Sequence, residues 1–404
     1  MARKPMRDLT VEQQLARGPM DLPFLMLVVV LVGIGLIVVF SASYAAAYYD
    51  DKISSPLYYI QRQAIFACLG LAVMYGVSKV NYQRLRLLSV PMLLGTIVLL
   101  VLVLTPLGVN LNNAQRWLNL FLVAGPTYQP SELAKISIIV FFAARLSKRN
   151  TEKRRKFSTR TFSGRALNLM EKIGLLELLP YIGVLGLVLG LVVLEPHMSG
   201  TILIMVGAAA VLFAGGISLA WFLSVGSLAV GGLLLIIFTT DYMTNRVKLW
   251  LDPWIDPQNK GFQTIQSLLS IGSGGLLGKG LGNSAQKFEF LPEPENDFVF
   301  SVAVEELGFV GGALILILFM LLILRGYWLA LHSRDKFGSL LIVGIMALLS
   351  VQVFFNIGVV TNLIPNTGIS LPFFSYGGTA LVIHLAEMGV VLSVSRQIPA
   401  PKKD

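Results

Sequence analysis

The chain has 404 residues, of which 55% are hydrophobic and 13% are charged, and its formal net charge is +10. Soluble domains contain about 25% charged residues, so this composition excludes an ordinary soluble enzyme and indicates a membrane protein. The basic excess does not indicate a nucleic-acid partner, because the basic residues are concentrated in segments between apolar runs.

Apolar runs of nearly 20 residues recur along the chain, as transmembrane helices require. We predict an all-α polytopic membrane protein with one integral domain over residues 22–397. The polar tail 1–21 lacks the features of a cleaved signal peptide, and a second short tail covers 398–404. The ten predicted transmembrane helices cover about 22–43, 58–79, 86–105, 131–147, 175–194, 199–216, 219–240, 297–323, 338–361 and 374–395.

The distribution of lysine and arginine predicts the orientation of these helices. Of the 32 basic residues, 23 fall on the side of the two termini and eight on the opposite side. Cytoplasmic loops carry the excess of basic residues, so both termini are expected in the cytoplasm. The large loop of about 241–297, between the seventh and eighth helices, is then extracytoplasmic, and the protein is expected in the cytoplasmic membrane.

A polar stretch, residues 112–117, precedes the fourth predicted helix. The planar guanidinium of Arg116 suits bidentate contact with a phosphate. Trp117 beside it would, taken alone, be an anchor at the membrane interface. The stretch is therefore a candidate contact for an anionic ligand.

Two ionisable residues, Glu132 and Lys135, lie at the start of the fourth predicted helix. Their spacing of three places them on one helical face. Pro130 and an acidic residue both suit the first turn of a helix. Ionisable groups inside a membrane are costly and typical of functional sites, but a structural ion pair explains this pair equally well.

Glu195 and His197 end the fifth predicted helix near its outer face. A single histidine in such a place is more often a hydrogen-bonded structural group than a ligand. The three histidines of the chain are scattered without the spacing of a metal site. His384 and Glu387 share a face of the last predicted helix, in its cytoplasmic half.

The large loop contains two aspartates, Asp252 and Asp256, that each precede a proline. Turn chemistry explains either aspartate alone. Their repetition beside Arg246, Lys248 and two tryptophans favours a site in which cations hold a pyrophosphate and a carboxylate acts as a general base. The residues themselves do not decide which aspartate is the base.

Two further segments are rich in glycine. Residues 270–283 match neither a Walker A nor a Rossmann fingerprint, and we predict a flexible or membrane-dipping lid there. Residues 365–378 combine glycine, proline and hydroxyl groups, including Ser375. Irregular backbone at membrane depth is tolerated where it is buried or lines a wet cavity, so this segment is predicted to form part of an outward-opening cavity.

Several motifs, in this order, make the chain similar to the SEDS family (shape, elongation, division and sporulation), which includes FtsW, RodA and SpoVE. The resemblance covers about residues 22–397, and the motifs are specific only in combination. They are Asn113-Ala114-Gln115-Arg116-Trp117, Gln129-Pro130-Ser131-Glu132-Leu133-Ala134-Lys135, Asp252-Pro253-Trp254-Ile255-Asp256-Pro257, Gly261-Phe262-Gln263, Gly278-Lys279-Gly280-Leu281-Gly282-Asn283-Ser284, Leu291-Pro292-Glu293, Asp297-Phe298, Glu305-Glu306-Leu307-Gly308 and the stretch 365–378.

The resemblance implies the SEDS fold and a peptidoglycan glycosyltransferase that polymerises lipid II outside the cytoplasmic membrane. It implies lipid-linked glycan as the growing strand and a class B penicillin-binding protein, a transpeptidase, as partner. The essential loop aspartate of the family matches Asp256, its loop arginine is best matched by Arg246, and its intramembrane pair matches Glu132 and Lys135. A divalent cation, Mg²⁺ or Mn²⁺, could help stabilise the pyrophosphate, and no organic cofactor is expected.

Other polar residues of these motifs are candidate substrate contacts. The family usually has Pro-Asp-Leu-Gly-Thr where this chain has Pro196-His197-Met198-Ser199-Gly200-Thr201, so no role is transferred to His197. It also usually has Thr-Asp-Phe where this chain has Asn296-Asp297-Phe298. The full set of substrate-binding candidates is Arg246, Lys248, Arg116, Trp117, Glu132, Lys135, Asp252, Glu293, Asp297 and Ser375.

Two other classes of function stay open at this point. A lipid II flippase would suit the many helices and intramembrane charges, although the charged motifs concentrate near the outer side. A non-catalytic scaffold would only recruit the crosslinking enzyme. The sequence also leaves open whether the role is in division, elongation or sporulation.

Overall fold

A computed structural model of the chain describes residues 18–49, 55–111, 114–119, 127–149, 175–195, 197–224, 226–227, 247–259, 261–287 and 294–398. These residues form ten long helices and one small sheet. In chain order they are α1 (Leu22–Tyr49), α2 (Tyr58–Lys79), α3 (Gln83–Val103), β1 (Gly108–Leu111), β2 (Ala114–Asn119), β3 (Thr127–Tyr128), α4 (Pro130–Ser147), α5 (Leu175–Leu194), α6 (Met198–Ala214), α7 (Phe262–Ser273), α8 (Val299–His332), α9 (Lys336–Val360) and α10 (Gly378–Ser395).

The predicted polytopic membrane fold is confirmed. Among the described residues, α1, α2, α3, α8, α9 and α10 are long and apolar enough to cross a membrane, and α5 and α6 are shorter apolar helices. Nine of the ten predicted spans overlap a helix. The seventh, about 219–240, lies mostly outside the described residues, so the number ten stays a prediction.

Helix α4, which corresponds to the fourth predicted transmembrane helix, lies at the centre of the bundle. Nearly all its side chains are buried, and it contacts α3, α5, α6, α9 and α10. Its N-terminal turn carries Glu132 and Lys135, and Arg145 lies near its end. Because protein surrounds the start of the helix, Glu132 and Lys135 avoid the lipid, which would otherwise make them very costly, whereas Arg145 is exposed near the other end.

The outer end of α4 is preceded by a three-stranded antiparallel sheet in the order β1-β2-β3. In this sheet Val109 pairs with Trp117, and Leu118 pairs with Tyr128. Strand β3 ends two residues before Pro130, the first residue of α4. The sheet therefore fixes Arg116 and Trp117 of β2 relative to the charged start of α4.

Helix α8 is interrupted at Gly308, whose φ of 71° and ψ of −175° are not helical. After this break the backbone amides of Phe309 and Val310 donate to the carbonyls of Gly275 and Leu276, at 2.9 and 3.1 Å. The segments around Gly275 and Gly308 cross so closely that a Cβ on Gly308 would overlap backbone atoms of residues 276–278. The predicted lid is thus fastened to α8 rather than flexible.

Gly308→Ala is expected to destabilise the protein by at least about 2 kcal/mol. Its backbone occupies a region open essentially only to glycine, and the added methyl group would also separate the crossing chains. Thermal unfolding in detergent measures the effect. Gly33→Ala in α1, where nothing lies within 4 Å of the added Cβ, is the matched control. Equal melting temperatures for the two variants would contradict this view of the crossing.

Candidate active site

The repeated Asp-Pro motif folds into a single 3-10 turn, Pro253–Ile255. Asp252 immediately precedes the turn, and its Oδ1 accepts a hydrogen bond from the backbone amide of Trp254 at 3.0 Å. Aspartate is a preferred residue for capping a helical turn in this way. Turn chemistry therefore accounts for Asp252.

Asp256 follows the same turn but has a different environment. Its carboxylate Oδ1 accepts a hydrogen bond from Asn259 Nδ2 at 2.9 Å, and its carbonyl accepts one from the amide of Gly261 at 2.9 Å. The side chain is half-buried, whereas that of Asp252 is exposed. The second aspartate thus has an oriented carboxylate that does not cap the turn.

The loop that carries these aspartates is hydrogen-bonded to the segment that follows the C-terminal end of α9. The indole Nε1 of Trp250 donates to the carbonyl of Asn362, and Asn362 Nδ2 donates to the carbonyl of Trp250, both at 3.1 Å. A little further on, Asn366 Nδ2 donates to Gln263 Oε1 at 3.1 Å. These bonds join the Asp256 turn and α7 to the segment between α9 and α10.

That segment, residues 361–377, is in turn attached to residues 294–297. Ser375 Oγ donates to the carbonyl of Asn296 at 2.8 Å and accepts from the amide of Leu371 at 2.7 Å. The carbonyl of Asp297 accepts from Asn356 Nδ2 at 2.7 Å. The hydroxyl of the predicted site residue Ser375 is therefore hydrogen-bonded to two backbone partners.

A second group of polar side chains surrounds the start of α4. Lys135 Nζ lies 2.6 Å from Glu132 Oε2, and both side chains are largely buried. Ser131 Oγ lies 3.0 Å from His197 Nδ1, which also faces Gln129. The predicted pairing of Glu132 with Lys135 is present, and it is joined by a histidine to which no role was assigned.

Arg116 extends this group toward the outer surface. Its Nε donates to the carbonyl of Glu195 at 3.3 Å. The Glu195 side chain is fully buried, and neither carboxylate oxygen has a hydrogen-bond partner among the described residues. Burial raises the pKa of Glu195 to about 8, although the nearby Arg116 acts in the opposite direction. Burial likewise lowers the pKa of His197 to about 4, so that this histidine is neutral at pH 7.

Glu195→Gln is expected to stabilise the protein, and more so at pH 8 than at pH 5. Between the ordinary carboxyl pKa of 4.5 and the folded value of about 8, the unfolded chain ionises while the folded chain stays protonated. Stability therefore falls as the pH rises through this range, and glutamine removes that loss. Thermal unfolding in detergent at both pH values tests this, with Asp252→Asn at an exposed position as control. A gain that does not grow with pH would contradict it.

The structure thus brings the predicted residues into two groups. Arg116, Glu132 and Lys135 lie in the buried group, and Asp252 and Asp256 lie on the outer loop. Residues 361–379 contact both, because Asn366 bonds the loop while Thr379 Oγ1 donates to the carbonyl of Thr127 in β3 at 3.2 Å. The Asp297 carboxylate lies beside Gly368 of the same segment.

The remaining predicted residues make no contact that assigns them a role, or lie outside the described residues. Trp117 is half-buried in β2, and Lys248 is exposed four residues before Asp252. Arg246 and Glu293 lie outside the described residues. The sequence prediction missed Asn259 and the Trp250–Asn362 pair, for which no local pattern gives a signal. In the part of the chain that the structure describes, no three His, Cys, Asp or Glu side chains come together as possible metal ligands.

Comparison with known proteins decides the family. Residues 22–399 match the FtsW/RodA/SpoVE family, described as "Cell cycle protein". The chain belongs to this family. The family resemblance predicted from the motifs is therefore confirmed.

Two relatives show how far the likeness to the FtsW/RodA/SpoVE family extends. A probable peptidoglycan glycosyltransferase FtsW of Geobacter metallireducens is 40% identical over 380 residues, covering 94% of this chain and 95% of the relative. The stage V sporulation protein E of Bacillus subtilis is 39% identical over 381 residues, covering 93% and 97%.

Solved structures of the FtsW/RodA/SpoVE family show the same fold. One comes from a study titled "Structural coordination of polymerization and crosslinking by a peptidoglycan synthase complex", with a TM-score of 0.71, 30% identity, and coverage of 95% of this chain and 99% of that one. The rod shape determining protein RodA of Thermus thermophilus gives a TM-score of 0.63 at 28% identity, covering 95% and 98%. This chain is therefore a multi-pass membrane protein of the same architecture.

Proposed function

We propose that this protein is a peptidoglycan glycosyltransferase that polymerises lipid II on the outer side of the cytoplasmic membrane. The observation that carries the proposal is the oriented carboxylate of Asp256, on a loop fastened to a membrane domain with a buried polar group. The relatives named peptidoglycan glycosyltransferase, which match nearly the whole chain, support the same reaction.

The reaction transfers a lipid-linked glycan chain to an incoming lipid II. Asp256 accepts the proton of the 4-hydroxyl of the acceptor sugar, and the resulting oxygen nucleophile attacks the anomeric carbon of the growing chain. The bond between that carbon and the pyrophosphate oxygen breaks, so the configuration inverts and undecaprenyl pyrophosphate leaves. A positioned base of this kind contributes about 10²–10⁴-fold to the rate.

The buried group suits the leaving pyrophosphate because it contains the guanidinium of Arg116, which can bind an anion in a bidentate manner. Glu132 and Lys135 neutralise each other, and His197 is uncharged at pH 7. Burial raises the pKa of Glu195 beside Arg116 to about 8, so this carboxyl is mostly protonated at pH 7. A preorganised cation in a water-poor site stabilises developing negative charge far more than it would in water.

Arg246 and Lys248 of the loop are the other proposed contacts for the pyrophosphate, and Trp117, Asp252 and Asp297 stay candidate substrate contacts. A divalent cation also stays a proposal. Magnesium typically binds one or two carboxylates together with substrate phosphates.

We further propose that both termini are cytoplasmic and that the protein works with a class B penicillin-binding protein. The lysine and arginine distribution supports the orientation. The similar chain from a study of a peptidoglycan synthase complex that coordinates polymerisation with crosslinking supports the partner. The relatives include a sporulation protein and FtsW proteins, so the role in division, elongation or sporulation is left open.

A flippase is the competing proposal, favoured by the buried ionisable residues Glu132, Lys135, His384 and Glu387 inside the bundle. The two functions separate in vesicles that contain the purified protein and fluorescent lipid II. Glycosyl transfer converts lipid II into strands that lysozyme digests. Movement of lipid II between leaflets without any strands would favour the flippase and contradict our proposal.

A further inference from the structure

We propose that the glycine-rich part of the outer loop inserts into the outer leaflet of the bilayer through three leucines, Leu276, Leu277 and Leu281. We call these residues the leucine ledge. Their side chains are 71%, 81% and 57% exposed, although each is fully apolar. Such a cluster on a segment that connects two membrane helices requires a covering surface, because soluble surfaces rarely expose contiguous large apolar groups.

The ledge is continuous with the lipid-facing surface of α8. Val310 donates its backbone amide to the carbonyl of Leu276, and Phe309 donates to Gly275. Phe309 and Val310 are themselves 66% and 55% exposed. They begin an exposed apolar stripe that continues at helical spacing through Leu314, Ile317, Met320, Leu321, Leu324, Trp328 and Leu331.

The length of α8 between Val310 and Trp328 indicates how deep the ledge lies in the bilayer. Val310 and Trp328 are separated by 18 residues, or about 27 Å of helix. The hydrocarbon core of a bilayer is about 30 Å thick, and tryptophan prefers its boundary. Trp328, stacked under Arg325 at 4.2 Å, marks one boundary. Val310, and the ledge bonded to it, then lie at the other.

Backbone amides around the ledge are hydrogen-bonded within the protein, as an apolar environment requires. The amides of Gly278, Lys279 and Gly280 donate to the carbonyls of Gly274, Glu305 and Glu306, at 2.9 to 3.0 Å. Unsatisfied backbone groups are not tolerated in lipid, so these bonds permit the segment to enter the bilayer.

The charges beneath the ledge are compensated as well. Glu305 and Glu306 are buried, and they pair with Lys279 at 2.6 Å and Lys287 at 3.0 Å. The side that faces the protein therefore holds the two carboxylates, and the opposite side presents the three leucines beside the partly exposed stem of Lys279. This polarity fits lipid acyl chains better than water.

Insertion of the ledge would also set the height of the Asp256 turn above the membrane. Helix α7 connects the two, and it is bound to α8 by Ser267 and Ser270, whose hydroxyls contact Ser301. The position of the turn is then fixed by two elements, α8 and the bilayer surface.

Site-directed spin labelling tests this inference on the whole protein in phosphatidylcholine–phosphatidylglycerol vesicles. The only cysteine of the chain is replaced in a Cys68→Ser background, and labels are attached to Leu277→Cys and to the control Gln258→Cys, an exposed polar position on the same loop. Leu314→Cys on the α8 stripe is the reference for lipid exposure. Leu277 is 81% exposed, so its replacement removes little packing, and size-exclusion chromatography confirms folding.

We expect the label at residue 277 to collide several-fold more often with oxygen than with a water-soluble nickel chelate, as at residue 314. The label at residue 258 should show the reverse preference. Two results would overturn the inference. One is a label at 277 that behaves like the label at 258, and the other is a label shielded from both reagents, which would indicate coverage by protein.

Discussion

Asp256→Asn is expected to reduce lipid II polymerisation by at least about a hundredfold while the protein stays folded. The variant removes a base whose contribution is typically 10²–10⁴-fold. The asparagine side-chain oxygen can still accept the hydrogen bond from Asn259, so the turn keeps its geometry. The measurement is the initial rate of strand formation from lipid II, together with the melting temperature.

Asp252→Asn is the matched control for this experiment. It makes the same chemical change four residues earlier, and asparagine caps a helical turn about as well as aspartate. Its polymerisation rate is therefore expected to stay within a few-fold of the original. Similar losses in both variants would show that the two aspartates act together, and full activity of Asp256→Asn would refute the assignment of the base.

Lys135→Met is expected to cause the largest loss of stability, about 3–5 kcal/mol. The substitution leaves the Glu132 carboxylate buried without the ammonium group that lies 2.6 Å away. Removal of one partner of a buried ion pair costs this much because an uncompensated charge stays in the interior. Unfolding in detergent by heat or denaturant measures the loss.

The double variant Glu132→Gln/Lys135→Met separates stability from function. It removes both charges, and apolar or neutral replacement of a whole buried pair is often close to neutral for stability. We expect the double variant to recover most of the stability but not the polymerisation activity. If it recovers both, the pair is purely structural, and the sequence-based prediction of Lys135 as a substrate contact is wrong.

The sequence predicts the general architecture well, because apolar runs of membrane length and the family motifs are local features. The i,i+3 spacing of Glu132 and Lys135 is also local, and the structure shows them paired. The central position of α4 is not predictable in this way. Its three charged residues lower its hydropathy, and the packing of five other helices around it explains why the buried pair Glu132 and Lys135 is tolerated.

The contacts of the large loop are not predictable from the local sequence. Asp252 and Asp256 have the same following residue, and their environments differ only because Trp254 and Asn259 lie where they do. The glycine-rich patch was predicted to be a flexible or membrane-dipping lid, but it is hydrogen-bonded to Glu305, Phe309 and Val310, which are distant in sequence. The burial of Glu195 likewise depends on long-range contacts, including that with Arg116 of β2. None of these pairings leaves a periodic signal in the chain.

The most direct test of the proposed function is the polymerisation of pure lipid II by the purified chain, alone and with its class B penicillin-binding protein. The proposed chemistry predicts glycan strands with inverted linkages and release of undecaprenyl pyrophosphate, both lost in Asp256→Asn. Lipid II that stays unchanged in every condition, with a folded protein and a partner that binds it, would contradict the proposed function.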